Sequence, residues 1–297
     1  MNKYFSIFFN SFSDYWNYLV HAVLHPSWNN YFYWLIAVSL IFWLLEIVFP
    51  WRKNQKIIRQ DFWLDAFYMF FNFFLFSLIG FYALTNIGVQ LFNDFLAIFG
   101  ITNGIAIEVA GLPVWLKLTF AFILKDFIQW GTHVLLHRNN YLWQFHKLHH
   151  SVKEMGFAAH LRFHWMENVV YRTIQYIPLA MLGFGIQDYL VANMIALVIG
   201  HFNHSNLNMP LGPLKYILNN PQMHIWHHAK VYPPQFKYGN NFGISLSIWD
   251  YLFHTNYIPG SGRDIELGFP DDENYPHDFL QQELFPAGKN RKKQHVN

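Results

Sequence analysis

The chain has 297 residues, of which 53% are hydrophobic and 13% are charged, with a formal net charge of +2. Soluble globular domains carry roughly 25% charged residues. This sequence therefore has too few charges to cover a water-facing surface, and we expect it to lie in a membrane. The small net charge gives no reason to expect a nucleic-acid partner. The absence of cysteine excludes disulfides, thiolate zinc sites and cysteine-ligated iron–sulfur clusters.

The first 60 residues predict one interfacial segment and one membrane helix. Residues 1–30 alternate aromatic and polar side chains, which favours an interfacial helix, and they lack the pattern of a removable signal peptide. Tyr31–Phe49 has one charge, Glu46, and is long enough to span a hydrocarbon core of about 30 Å. Four basic residues follow between positions 52 and 59, which by the positive-inside rule places this loop in the cytoplasm.

Three further apolar runs are predicted to cross or enter the membrane. They cover residues 66–92, 112–137 and 169–199. No Lys or Arg occurs between Arg59 and Lys117, so the loop after the second run is predicted to lie on the far side. Glycines and a proline interrupt the last run, which fits either a re-entrant hairpin of two short helices or a pair of spans.

The third run contains three polar side chains that would be costly against lipid. They are Lys125, Asp126 and Gln129, and we expect them to face protein or a cavity. The predicted fold is all-α: a transmembrane bundle of about four spans, or three plus a re-entrant hairpin, with a cytoplasmic histidine-rich metal-binding cap. Residues 1–59 form the N-terminal segment and first span, 60–260 one histidine-bearing domain, and 261–297 a polar, basic tail.

Closely spaced histidines fall into five sets between residues 133 and 228. The sets are His133 and His137; His146, His149 and His150; His160 and His164; His201 and His204; and His224, His227 and His228. Spacings of three and four place side chains on one helical face, one turn apart. The His-x-x-His-His triple occurs twice, although chance predicts roughly 0.05 occurrences in such a chain. Adjacent histidines on a helix point about 100° apart and can serve two metals, so the triples predict a dinuclear site.

Imidazole ligands without thiolate suit iron, zinc, copper or nickel. A hydrolytic zinc site needs about three protein ligands and an open position, whereas eight or more clustered histidines favour two redox metals. The roles of His160 and His164 stay open: each is a candidate ligand, a donor to a ligand or a substrate contact.

The motifs together resemble the fatty acid hydroxylase and sterol desaturase superfamily of membrane proteins. Besides the triples, Arg162, His164 and Glu167 look like its Arg-x-His-x-x-Glu element. The segments His204-Ser205-Asn206, Asn241-Phe242-Gly243 and Trp249-Asp250-Tyr251-Leu252-Phe253 are similar to three further elements, with Phe242 in place of the usual Tyr. The resemblance covers roughly residues 60 to 260. It implies metal ligation by His133, His137, His146, His149, His150, His224, His227 and His228, joined by His201 and His204, with Glu167 and Asn241 beside the ligands.

What the resemblance implies is a non-haem diiron oxygenase in which the metal centre is the catalytic group. Its two iron ions, which zinc can replace on purification, would oxidise a fatty acyl, sterol-like or alkylglycerol ether lipid with dioxygen. The sterol desaturase and alkylglycerol monooxygenase branches are favoured. Because His25-Pro26-Ser27 lacks the family's haem motif, a separate cytochrome b5-like or ferredoxin-like donor with its reductase is expected.

Two other functions remain as alternatives. A zinc-dependent membrane hydrolase would normally carry a His-Glu-x-x-His helix, which is absent from this sequence. A metal transporter would place its ligands on several spans near the bilayer midplane, whereas most of these histidines follow span ends or lie in the polar C-terminal part.

Reporter enzymes fused after Ser151 and after Ile258 test the predicted topology. Both are expected to be active on the cytoplasmic side of a bacterial inner membrane or an endoplasmic-reticulum-type membrane. A fusion after Gly100, in the loop predicted on the far side, is the matched control. An outer-side signal from either test fusion would contradict the predicted orientation.

Overall fold

The computed structural model describes residues 3–27, 31–76, 85–101, 109 and 111–286. These residues form α-helices and short 3-10 turns, with isolated β-bridges and no strand among them. The helices are α1 (Lys3–Leu24), α2 (Tyr31–Val48), α3 (Phe62–Phe76), α4 (Thr85–Ile98), α5 (Val114–Arg138), α6 (Asn140–His150), α7 (Trp165–Met181), α8 (Ile186–His204), α9 (Pro221–His227), α10 (Ile248–Leu252) and α11 (Phe279–Leu284). The prediction of an all-α fold is confirmed.

Helix α2 is the one described helix that is long and apolar enough to cross a membrane. Its mean hydropathy is 2.0, and only 22% of it is buried inside the protein. The core helix of a soluble protein would be mostly buried, whereas Leu40 and Leu44 on α2 are 55% and 60% exposed. The helix coincides with the first predicted span and ends one residue earlier.

The other predicted spans correspond to less uniformly apolar helices. Residues 112–137 become α5, which has 25 residues but carries several charges. The run 169–199 divides into α7 and α8, and the chain turns between them at Gly183, whose φ of 78° favours glycine. The run 66–92 includes parts of α3 and α4, with residues 77–84 outside the described part. The number of spans therefore stays a prediction.

The polar residues of α5 face protein, as predicted. Lys125 and Asp126 are each 2% exposed. Asp126 accepts hydrogen bonds from the backbone nitrogens of Ser245 and Leu246, at 3.2 and 3.1 Å, and from Trp249 Nε1 at 2.9 Å. This buried carboxylate attaches the loop before α10 to the middle of α5.

Local capping places the helices that carry histidines. The chain bends between α5 and α6 at Asn139, whose side chain accepts from Tyr141 N and Leu142 N at 2.9 and 3.1 Å. Helix α9 begins with Pro221 in its first turn, and the Asn220 side chain accepts from Met223 N at 3.0 Å. Asn caps and an N-terminal Pro are the residues that favour helix starts.

A buried ion cluster joins α3 to the 3-10 turn at Phe157–Leu161. Asp65, which is fully buried, contacts both the Arg59 and Arg162 guanidinium groups, and Arg162 Nη1 lies 3.0 Å from Asp65 Oδ1. Arg162 also reaches Asp61 at 3.2 Å. The two arginines and two aspartates balance their charges, so the cluster satisfies groups that would be costly to bury alone.

The charge in the first span has a similar role. Glu46 Oε1 accepts from Phe157 N at 2.8 Å and from Asn206 N at 2.7 Å. The carboxylate at the end of α2 therefore joins two segments that flank the histidine motifs.

Residues after position 260 contact the bundle as far as they are described. Leu267, Phe269 and Tyr275 are buried, and α11 places Phe279 against Phe67 of α3 at a ring distance of 4.8 Å. The basic cluster between residues 289 and 293 lies outside the described residues. The domain boundaries stay predictions.

Replacing Asp65→Asn tests the ion cluster. Because the variant leaves two buried guanidinium groups without adequate negative charge, we expect a loss of about 3–5 kcal/mol. Thermal unfolding in detergent should then show a Tm lower by roughly 10 °C. The control is Asp94→Asn, which removes an exposed ion pair with Lys3 and should leave the Tm nearly unchanged. Equal Tm values for the two variants would contradict this role.

Candidate metal centre

Nine of the predicted ligands converge in two groups. Group one contains His133, His137, His146, His150 and His227, and group two contains His149, His204, His224 and His228. Within each group, one ring nitrogen of every residue lies within 4.8 Å of the others. All nine side chains are buried. Among the described residues, these two groups bring together enough imidazole nitrogens to hold metal ions.

Both His-x-x-His-His segments contribute to both groups. On α6, His150 belongs to group one and its neighbour His149 to group two. At the end of α9, His227 belongs to group one and His228 to group two. This division follows from the rotation of about 100° between adjacent helical residues. Each triple therefore holds the two groups side by side.

The nitrogen that faces inward is Nε2. In group one, His133 and His146 approach at 3.1 Å, as do His137 and His150. In group two, the Nε2 of His204 lies 3.3 Å from that of His149 and 2.9 Å from that of His224. With a metal–nitrogen distance of about 2.1 Å, ligands at right angles stand about 3.0 Å apart. The observed separations fit that spacing.

Hydrogen bonds on the other side of the rings fix which nitrogen faces inward. His133 Nδ1 donates to the Phe242 carbonyl at 2.7 Å, His227 Nδ1 to the Asn240 carbonyl at 2.7 Å, and His204 Nδ1 to the Gly200 carbonyl at 2.8 Å. A nitrogen that faces a carbonyl must carry the proton, so Nε2 keeps its lone pair.

These tautomers show that the site suits a cation. His133 and His227 both donate from Nδ1 to a carbonyl, so their Nε2 atoms present lone pairs within group one, and that of His227 is buried without a hydrogen-bond partner among the described residues. An electron-pair acceptor bound between these lone pairs would satisfy both of them. The residues therefore fit a metal ion, and imidazole ligands are suited to iron, zinc, copper and nickel.

Electrostatics also keep the imidazoles in the ligand form. Burial lowers the pKa of His149, His150, His224 and His228 well below the usual value, and the neighbouring imidazoles lower it further. Desolvation disfavours the protonated ring, and a second positive charge nearby adds repulsion. These rings are thus neutral at physiological pH, with lone pairs available to a metal.

Another buried carboxylate holds the loop that supplies the carbonyl acceptors. Asp250 on α10 accepts from the backbone nitrogens of Phe242 and Gly243, at 2.9 and 2.8 Å, and from Trp130 Nε1 of α5 at 3.0 Å. The Phe242 ring also packs on His137, with ring centroids 5.1 Å apart. The Trp-Asp element recognised in the sequence thus orients a ligand through the backbone, which its pattern alone did not reveal.

The two residues expected beside the ligands have different environments. Glu167 contacts His146 directly, and its other oxygen is buried without a partner among the described residues. Asn241 makes no hydrogen bond to a candidate ligand ring among the described residues. Its side chain donates to the Met223 and Tyr257 carbonyls at 2.9 and 2.7 Å, which links the loop to α9 next to His224.

Three candidate histidines lie beside the groups and not within them. His201 Nδ1 contacts His160 Nδ1 at 2.9 Å, and its Nε2 lies 3.1 Å from Ser39 Oγ. A side chain at Gly200 would stand 2.1 Å from His160 Nε2, so the ring depends on a glycine there. His164 caps α7 by accepting from Met166 N at 3.0 Å.

A cavity adjoins both groups. It lies between α5, α7 and α8 and has a volume of about 90 Å³. Its lining includes His133 and His146 of group one and His149 and His204 of group two. A bound molecule would therefore contact residues of both candidate metal sites. Ligand cavities with a few convergent polar groups are the usual location of an active site.

The described residues define an all-helical, histidine-rich protein with two groups of imidazoles that could hold metal ions and an apolar helix suited to a membrane. Residues 118–255 match the family model described as fatty acid hydroxylase. The match confirms the resemblance found in the motifs: this part of the chain is similar to the fatty acid hydroxylase family.

Curated relatives match about half of the chain. The ornithine lipid hydroxylase OlsE of Rhizobium tropici is 32% identical over 157 residues, which cover 52% of this chain and 46% of that protein. The alkylglycerol monooxygenase of Homo sapiens is 31% identical over 136 residues, covering 46% and 29%. That of Danio rerio is 31% identical over 148 residues, covering 49% and 31%. The chain spans less than half the length of these relatives, and no solved structure matches it.

Metal analysis of single variants tests the grouping. We predict that His137→Asn, in group one, and His228→Asn, in group two, each lower the metal content from two ions to one per chain, because each removes a ligand from a different group. The control is His254→Asn, at an exposed residue whose φ of 57° suits asparagine. Elemental analysis of purified protein measures the result, and retention of both ions by a ligand variant would contradict the grouping.

Proposed function

We propose that this chain contains the catalytic part of a membrane-bound, non-haem diiron oxygenase that hydroxylates a lipid. The observation that carries the proposal is that members of both histidine groups line a single cavity. In the balanced reaction, a lipid C–H bond, dioxygen, two electrons and two protons give a C–OH bond and one water. The homology to lipid hydroxylases and alkylglycerol monooxygenases supports the choice of a lipid C–H bond.

The nine histidines of groups one and two would hold one iron ion in each group. Bound iron supplies the activation of dioxygen, which no side chain in the protein can provide. The protein positions the ligands and the substrate. The carbonyls of Phe242, Asn240 and Gly200 hold three ligand rings in a fixed tautomer. Rigid orientation of this kind reduces the reorganisation needed during reaction.

Burial of the ligands serves to exclude water. The ligand histidines that line the cavity, His133, His146, His149 and His204, are at most 1% exposed. A dry site protects a strong oxidant from side reactions with solvent. The mechanism needs no general base among the side chains, because C–H bond cleavage belongs to the bound cofactor.

The location proposed is a bacterial inner membrane or an endoplasmic-reticulum-type membrane, with the histidine groups facing the cytoplasm. Helix α2 and its exposed apolar side chains support membrane insertion. The basic residues directly after α2 support the orientation.

A separate donor protein would supply the electrons, and a basic surface groove is its proposed docking place. The groove has a volume of about 660 Å³. It is lined by four basic residues, Arg52, Lys53, Lys153 and Arg263, and two acidic ones, Glu154 and Asp264. This excess of positive charge suits an acidic cytochrome b5-like or ferredoxin-like protein served by its own reductase.

The floor of this groove is continuous with the segments that bear ligands. Met155 and Leu267 line the groove and pack in one apolar cluster with Val152 and Ile225. Val152 follows the α6 histidine triple, and Ile225 lies inside the α9 triple. A donor docked in the groove would therefore lie directly behind the backbone that carries both groups.

The number of ligands favours an oxygenase over a hydrolase. A catalytic zinc ion normally has three protein ligands and a water, whereas groups one and two offer five and four imidazoles. The enclosure of both groups within the protein also favours chemistry on a bound molecule over passage of the metal itself.

Lipid analysis tests the proposed function. Aerated cells with a suitable electron donor would express the chain, its His149→Ala variant or the control His254→Asn at matched abundance. We expect a lipid one oxygen heavier with the unaltered chain and the control, and its absence with His149→Ala, because that variant loses a group-two ligand. Identical lipids in all three cultures, with both metals bound, would contradict the proposal. A change in cellular metal without a lipid change would instead indicate transport.

A further inference from the structure

One face of α5 leads from the histidines to a buried ammonium group. Lys125, Gln129, His133 and His137 are spaced by four residues, so they form a stripe along the helix with a step of about 6 Å. The first three of these side chains line the cavity beside the histidine groups. The cavity therefore has a second, cationic end.

Hydrogen-bond donors accumulate at this second end. Lys125 is 2% exposed, and its Nζ donates to Gln129 Oε1 at 3.0 Å. Because the Gln129 oxygen accepts this hydrogen bond, the remaining polar group of that side chain is its amide nitrogen, a donor. Asn193 also lines the cavity, and its Nδ2 is buried without an acceptor among the described residues. The described lining contains no aspartate or glutamate.

We propose that this end of the cavity binds an anionic oxygen group, a carboxylate or phosphate, of the lipid substrate, with Lys125 as its counter-ion. The identification of the ligand as a substrate rests on the proposed function; the anion site itself does not. Charge-assisted hydrogen bonds from an ammonium are strong in a buried setting.

The spacing along α5 sets where the lipid is oxidised. Lys125 and His133 are eight residues apart, a rise of about 12 Å. The reacting carbon therefore lies within about 12 Å of the anionic group, in the part of the lipid nearest its charge. Tandem mass spectrometry of the product should place the new oxygen there, and an oxygen near the far methyl end of a long chain would overturn the assignment.

Binding measurements test the site without turnover. Purified, metal-loaded full-length protein in a nonionic detergent is titrated with octyl phosphate, octanol or inorganic phosphate, and the rise in Tm gives the apparent Kd. We expect octyl phosphate to bind the unaltered protein more tightly than either other probe. In Lys125→Met its Kd should rise about 10- to 100-fold, whereas Lys125→Arg should retain binding because it keeps the charge.

Lys117→Met is the matched control on the same helix. Lys117 pairs with Asp188 at 2.9 Å, is partly exposed and does not line the cavity, so its loss should leave octyl phosphate binding unchanged. Equal binding of octyl phosphate and octanol by the unaltered protein would overturn the proposal, as would equal octyl phosphate binding by Lys125→Met. Equal binding of inorganic phosphate would mean that the site takes a free anion and not a lipid.

Two further measurements distinguish three cases: a variant that misfolds, an oxygenase assignment that is wrong, and an anion site that does not exist. If Lys125→Met has altered metal content, Asn193→Leu is measured in its place. We then expect this variant to prefer octyl phosphate over octanol less strongly than the unaltered protein does. If no oxidised lipid forms in cells but octyl phosphate binding still depends on Lys125, the oxygenase assignment fails and the anion site stands. If oxidised lipid forms and Lys125→Met binds normally, the anion site fails and the oxygenase assignment stands.

Discussion

The hydrogen bonds on the far side of four candidate ligand rings, those of His133, His146, His204 and His227, are the constraint on which the candidate metal centre depends. A buried neutral imidazole can present either nitrogen, and only a fixed proton on Nδ1 directs the lone pair of Nε2 inward. The carbonyls of Phe242 and Asn240 impose this choice on His133 and His227. The loop that contains these carbonyls has no histidine, yet the geometry of group one follows from it.

Buried carboxylates position that loop and its neighbours. Asp126 and Asp250 each bind backbone nitrogens of the segment between residues 242 and 246, and both also bind a tryptophan nitrogen. Glu46 makes the same type of contact with the segments next to His160 and His204. A buried carboxylate is costly unless several donors surround it, so these contacts form together or not at all. The consequence is that three buried carboxylates hold the segments next to the histidine groups.

Helix α5 connects the chemistry to the proposed recognition of the substrate. Its stripe holds two ligands of group one at one end and the Lys125 ammonium group at the other. A straight helix converts sequence spacing into a fixed distance, so one element would set both the metal position and the position of the substrate's charge. Lys125 and Gln129, which make α5 a poor lipid-facing span, are also polar residues of the cavity lining.

The sequence by itself determined the helical class, the resemblance in its motifs and the division of adjacent histidines in each triple between two groups. These properties depend on local composition and on the 100° step between helical neighbours. It did not separate His204 from His201, which share one helix and one motif. Only the tertiary structure decided that His204 faces His149 and His224 while His201 faces His160 and Ser39. The carbonyl acceptors, the buried carboxylates and the cavity were likewise decided by packing between segments far apart in the chain, a property that local spacing does not encode.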